Sequence, residues 1–172
     1  MHPTLSPRLC SILLIAGALA FGSPASAQSG QIVTISASVV KPLTLAWVQN
    51  LDLGSIALGP GSWSGAVVGI SRAGIFSCAN ANLTCTGATM VAKYQVTGTN
   101  NQVVRISAPN VTLISQSDST QTLLLTIDSP GTVTLPNSGS SGVAFALGGA
   151  ITLSSATAAG LYSGTFNVTV DY

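Results

Sequence analysis

The chain has 172 residues, of which 47% are hydrophobic and only 5% charged. With residues 1–27 set aside as a leader, four basic residues (Lys41, Arg72, Lys93, Arg105) balance four acidic ones (Asp52, Asp118, Asp128, Asp171), Glu is missing, and the only histidine, His2, lies in the leader. This balance excludes a basic nucleic-acid footprint, a polyanionic tail, an EF-hand-like acidic loop and histidine-dependent chemistry. The remaining residues, 28–172, suit a single domain with one sizeable core.

The leader is read from Arg8, the apolar run Ile12 to Phe21, then Gly22-Ser23-Pro24 and the small residues Ala25-Ser26-Ala27. That order predicts a cleaved secretory signal peptide with a mature start at Gln28. The apolar run is far short of the roughly 20 residues a membrane-spanning helix needs. The expected destination is the periplasm, the cell surface or the medium, with no membrane span once the signal is removed. Cys10 precedes the apolar run and is incidental.

Cys78 and Cys85 are the remaining cysteines. In an oxidising compartment they are expected to form a disulfide, because no third or fourth nitrogen or sulfur ligand stands nearby for a metal. Closing so short a loop is worth about 2–3 kcal/mol in the chain-entropy account. The expected role is a clamp on a hairpin or loop tip.

No helix-period segment is present. Short runs rich in Val, Ile, Thr and Leu alternate with Gly, Asn, Pro and Ser clusters, which predicts an all-β sandwich. Strands are expected over 31–39, 43–48, 65–71, 89–98, 102–108, 111–115, 121–127, 131–135, 143–153 and 162–172. Turns fall at Gly59-Pro60-Gly61, Thr99-Asn100-Asn101, Asp128-Ser129-Pro130-Gly131 and Asn137-Ser138-Gly139.

Near the mature N-terminus Val33, Ile35, Ala37 and Val39 alternate with Thr34, Ser36 and Ser38, until Lys41-Pro42 interrupts the pattern. Proline lacks the N–H a ladder needs, so this is an edge position or a crossing between sheets. The last segment has the clearest period of two: Tyr162, Gly164, Phe166, Val168, Val170 and Tyr172 share one face, and Ser163, Thr165, Asn167, Thr169 and Asp171 the other. One face must be buried and one wet. Gly164 leaves room for a close neighbour.

Two stretches carry a resemblance. Lys41-Pro42-Leu43-Thr44-Leu45 precedes Leu51-Asp52-Leu53-Gly54-Ser55-Ile56, and Leu147-Gly148-Gly149-Ala150-Ile151-Thr152-Leu153 precedes the alternating segment from Gly160 to Tyr172. Together they resemble a family of short exported bacterial β-domains of unknown function. More loosely, the Gly-x-Tyr, aromatic-capped last strand resembles subunits of chaperone–usher pili. The pilin resemblance implies an immunoglobulin-like sandwich lacking a strand, filled by the N-terminal extension of a neighbour, and a periplasmic chaperone as partner. Such subunits place a disulfide near the start of the sandwich, whereas Cys78 and Cys85 lie mid-chain. Residues 28–40 have the alternation of a donor strand and equally that of an ordinary first strand.

Catalytic constellations are thin. A nucleophile needs a base beside it, and glycosidase chemistry needs two carboxylates at one site, but the four Asp are dispersed. The protein is expected not to be an enzyme and to need no cofactor. Trp47, Trp63, Tyr94 and Tyr162 are either a stacking platform for sugars or core residues. Arg72, Asn80 and Asn82 are either a recognition tip beside the disulfide or solvated loop residues. Ser and Thr supply 36 of residues 28–172, so a hydroxyl-rich, nearly uncharged exterior is open to self-association.

The expected object is therefore an immunoglobulin-like or pilin-like β-sandwich with one disulfide. It is an exported structural or adhesive protein that joins itself or related subunits by strand addition through residues 33–39 and 162–172. The alternative is a self-contained secreted module that binds a carbohydrate or protein through its loops. No nucleic acid is expected as a partner.

Overall fold

The structure is a computed structural model that describes residues 32–136 and 141–172. The expected signal peptide over residues 1–27, the expected mature start at Gln28 and the expected turn at residues 137–139 lie outside the described residues. Among the described residues thirteen strands follow one another: β1 Thr44–Gln49, β2 Ser55–Leu58, β3 Ala66–Ile70, β4 Phe76–Ser77, β5 Leu83–Thr86, β6 Ala92–Thr97 and β7 Val103–Ser107 come first. They continue with β8 Val111–Ser115, β9 Thr122–Asp128, β10 Thr132–Thr134, β11 Val143–Leu153, β12 Tyr162–Ser163 and β13 Thr169–Asp171. No helix occurs among the described residues, so the fold is all-β.

The largest sheet runs β1-β6-β11-β9-β8-β12, with β3 also paired to β11 and β4 to β3. Two smaller ladders, β10-β7-β13 and β2-β5, accompany it, and every strand pairing among the described residues is antiparallel. β11 organises the whole. Its first half, Val143–Leu147, pairs with β6, and its second half pairs with β9 and β3. Because side chains alternate along a strand, Phe145, Leu147, Ile151 and Leu153 share one face.

That single face supports two apolar clusters. Phe145 and Leu147 pack with Ala92 and Val96 of β6 against Val104 and Ile106 of β7 and Leu135. Ile151 and Leu153 pack with Val68 of β3 and Leu125 of β9 against Leu83 of β5, with Ile56 and Leu58 of β2 at the margin. The large sheet is thus one layer of a sandwich, and the two small ladders form the other over its two ends. The expected sandwich is present as an all-β, layered fold with one disulfide.

The disulfide joins Cys78 and Cys85, with Cα atoms 6.3 Å apart. Cys78 directly follows β4 of the large sheet, and Cys85 lies in β5 of the opposing ladder. It therefore ties the two layers as well as closing a loop, and both cysteines pack against the second cluster.

Two strand expectations are corrected. The strand predicted over 31–39 does not form over its described part: residues 32–43 lie outside every ladder among the described residues, and Ile32 is 97%, Ile35 89% and Val39 91% exposed. An alternating pattern confers the capacity to pair, but a ladder needs a partner edge, and Lys41-Pro42 breaks continuity with β1. The single strand predicted over 162–172 is divided. β12 pairs with β8, β13 pairs with β7, and residues 164–168 join no ladder. The alternation holds in part: Tyr162, Phe166, Val168 and Val170 are half-buried while Ser163, Thr165, Asn167, Thr169 and Asp171 are exposed, but Gly164 and Tyr172, expected on the inner face, are exposed as well.

The C-terminus is fastened. The hydroxyl of Tyr172 donates to the carbonyl of Lys41 at 2.6 Å, accepts from the Thr99 N–H at 2.7 Å and lies 3.1 Å from Thr99 Oγ1. Lys41 N–H in turn donates to Thr99 Oγ1. We expect Tyr172→Phe to lower stability by about 1–2 kcal/mol, the value of a partly exposed hydrogen-bond set. A chemical-denaturation midpoint unchanged from the parent protein would contradict this fastening.

Candidate functional site

A groove of about 1010 Å³ has one bank formed by residues 50–58, which lead into the β2-β5 ladder, and the other by residues 157–166, which contain β12 at the edge of the large sheet. The first bank carries the chain from β1 into β2. The second leads from β11 through β12 toward β13. The floor is the inner face of the large sheet: Leu113 of β8, Leu123 and Leu125 of β9, Ile151 and Leu153 of β11, and Tyr94 of β6.

Local chemistry explains each bank. Gly54 has φ +73°, and its N–H is held by Asp52 Oδ1 at 2.8 Å, so the chain turns between Asp52 and β2. Asp52 also exchanges both main-chain hydrogen bonds with Met90. On the other side, the Tyr162 hydroxyl donates to Ala158 C=O at 2.8 Å and shapes the 157–162 turn. A Cβ at Gly164 would stand 3.0 Å from Leu113 Cδ2 and 3.1 Å from Thr112 C=O, which is the close approach expected from its position in the alternating segment.

In a closed sandwich the inward residues of both layers are buried. Here Leu51, Leu53, Leu113, Leu123, Tyr162 and Phe166 are only half-buried. The main chain of residues 164–168 also joins no ladder. The site is thus apolar at its floor, and residues 164–166 of its lining belong to no ladder. Asp52 is the one charged residue in its lining. Partial burial raises the Tyr94 phenol above its ordinary value of 10.0, so it stays neutral over the physiological range.

The other residues singled out in the sequence take different places. Arg72 donates its main-chain N–H to Asp128 Oδ2 at 2.8 Å, and its guanidinium contacts Asp128 Oδ1 at 3.1 Å and Ser129 C=O at 2.9 Å. It links the turn after β3 to the end of β9. Asn80 Oδ1 accepts from Asn82 N–H at 2.9 Å, and Asn82 C=O accepts from Gly59 N–H, so both asparagines shape the disulfide loop. Neither they nor Arg72 line the groove.

The aromatics also divide. Trp47 is 62% exposed on β1, Trp63 donates Nε1–H to Gly59 C=O, and Tyr94 stacks on Phe145 with centroids 5.5 Å apart. Tyr94 and Tyr162 border the groove, whereas Trp47 and Trp63 do not. Among the described residues no three His, Cys, Asp or Glu side chains form a group that could hold a metal ion, and no helix is long and apolar enough to cross a membrane.

Sequence reading missed the 50–58 bank. Its signal was the residue pattern Leu51-Asp52-Leu53-Gly54, which carries the resemblance without revealing which element it faces. Asp118, on the loop between β8 and β9, is an exposed turn former: the Thr120 hydroxyl and N–H both donate to it and hold its carboxyl below the ordinary value.

Residues 43–172 match the family model described as a domain of unknown function, DUF4402. The chain belongs to this family. In this DUF4402 domain the matched region contains every ladder and both banks of the groove, while residues 32–42 precede it. No curated protein and no solved structure gives a significant match.

Proposed function

We propose that this protein is a non-enzymatic, exported structural or adhesive subunit that associates with other subunits by strand addition, residues 28–40 supplying the donor strand. The observation that carries this reading is the state of its N-terminal segment. Val33, Ile35, Ala37 and Val39 keep a period of two, yet residues 32–40 are exposed and join no ladder among the described residues. Such an edge-forming segment is a template for pairing with another chain. Burying the Val33, Ile35 and Val39 side chains would each contribute about 1.5–3 kcal/mol, a sufficient drive for association. The near absence of charge supports the same reading, because little electrostatic repulsion opposes packing of copies.

The test is the size of the oxidised protein carrying residues 28–172, measured by gel filtration and light scattering across a concentration series. Oligomers are expected for the parent and a monomer for the full-length variant Ile35→Asp, which places a carboxylate on the donor's apolar face. A parent protein that stays a sharp monomer at high concentration would defeat the reading in favour of a self-contained binding module.

A further inference from the structure

We propose that the outer face of the large sheet is a contact surface for a second copy of this chain, the two copies being related by a two-fold axis along β11. The surface is separate from residues 28–40 and does not depend on strand addition.

In an antiparallel sheet with one face on the core, the outward positions are ordinarily polar. β3 and β9 depart from that rule. Val67, between the buried Ala66 and Val68, and Leu124, beside the buried Leu125, point outward and are 54% and 59% exposed. Between them β11 presents the small outward residues Ala144, Ala146, Gly148, Ala150 and Thr152, so nothing bulky holds a second sheet at a distance. A shallow hollow of about 470 Å³ lies over Gly69 and Ala150, beside Val67. Among the described residues, the outward positions of β3, β6, β9 and β11 carry two charges, Lys93 and Asp128, and Asp128 is already paired with Arg72.

The strand register dictates how two such faces fit. β3 and β9 both pair with Gly149, Ala150 and Ile151, so they flank β11. Val67 is level with Thr152, and Leu124, one residue from the Leu125–Ile151 pair, is level with the same residue. A two-fold axis along β11 exchanges the two flanks and sets Val67 of each copy against Leu124 of the other. The same operation lays Thr126, level with Ala150, over the hollow at Gly69. It also keeps the two lysines apart. Lys93 on β6 is level with Ala146, so it falls on the β9 side of the other copy, toward Asp128, which is level with Gly148. Sheets stacked in this way are aligned, as in ordinary sandwiches.

The size is adequate. The eleven residues of β11 extend roughly 36 Å, and four strand widths add roughly 19 Å, so the face covers about 700 Å² per copy. A pair therefore buries about 1,400 Å², above the ~1,000 Å² of a specific contact. None of the outward residues named is aromatic, so the contact has no strong anchor, and its expected dissociation constant is on the order of 0.1–1 mM.

The experiment uses the oxidised protein of residues 28–172 carrying Ile35→Asp, which removes the apolar N-terminal face and leaves the sheet intact. Sedimentation equilibrium up to about 1 mM should show a reversible monomer–dimer equilibrium in the range given above. Adding Val67→Lys or Leu124→Asp should weaken it about tenfold or more, because each homodimer then buries two unpaired charges. An equimolar mixture of the two should form a heterodimer, in which the introduced ammonium faces the introduced carboxylate and the other contact stays Leu124 on Val67. Circular dichroism and thermal unfolding confirm that each variant is folded, and Thr126→Asp replaces Leu124→Asp if the latter is not.

A protein that stays monomeric to about 1 mM, or a dimer indifferent to these substitutions, would overturn the inference. Weakening by each variant without recovery in the mixture would overturn the pairing of Val67 with Leu124 and with it the axis along β11. Strand addition is judged separately, by the parent against Ile35→Asp in gel filtration, so the failure of either idea leaves the other standing.

Discussion

Gly148→Ala should remove about 3 kcal/mol or more of stability, enough to leave much of the protein unfolded or insoluble. A Cβ at Gly148 would stand 2.3 Å from the Ile70 carbonyl oxygen, 2.5 Å from Arg72 N and 2.6 Å from the carbonyl carbon of Ser71. All three are main-chain atoms. They cannot simply swing aside, because Ile70 is paired in register with Gly149 and the Arg72 N–H is committed to Asp128. Gly148 is also where β11 leaves β6 and takes up β9, so a local shift there would disturb both clusters. Gly160→Ala is the matched control. Its nearest neighbours are the hydroxyls of Ser115 and Ser117, which can rotate, and its expected cost is under about 1 kcal/mol. Urea denaturation of both variants measures the difference, and similar midpoints would contradict the close crossing.

Leu147→Ala should cost about 2–5 kcal/mol, by lost burial together with the cavity left behind. Leu147 is wholly inaccessible and sits in the cluster formed with β6 and β7. Its neighbours in the same strand, Ile151 and Leu153, belong to the other cluster. Because one continuous strand supplies both, the clusters are expected to unfold together. The variant should show a single transition with a lower midpoint and an unchanged dependence on denaturant. Two separated transitions would mean that the two ends of the sandwich are independent.

Much of the architecture was readable before any coordinates. The run 143–153 is a strand over its whole length, and the expectations at 43–48, 65–71, 111–115 and 121–127 fall within a residue of observed strands. The disulfide pair was also legible, since Cys78 and Cys85 lie close together in the sequence with no further nitrogen or sulfur ligand nearby for a metal. β2, β4 and β5 escaped notice because two to four residues are too few to establish a period. The candidate site was half visible. Its 157–166 bank lies in or beside the most regular alternation in the chain, while the opposing bank at 50–58 reads only as a turn between strands.

The alternation of Tyr162, Phe166, Val168 and Val170 was determined locally, because successive side chains of an extended backbone point to opposite faces whatever lies beside them. The same rule gave residues 33–39 an apolar side. It could not decide that this side joins no ladder among the described residues, that the last segment changes partners between β8 and β7, or that β11 bridges two clusters. Those outcomes depend on hydrogen bonds and contacts between segments distant in sequence, and many β-strands of similar composition are interchangeable as partners until the chain closes around them. The groove is the consequence: it is bounded by segments distant in the sequence, and no single strand encodes it.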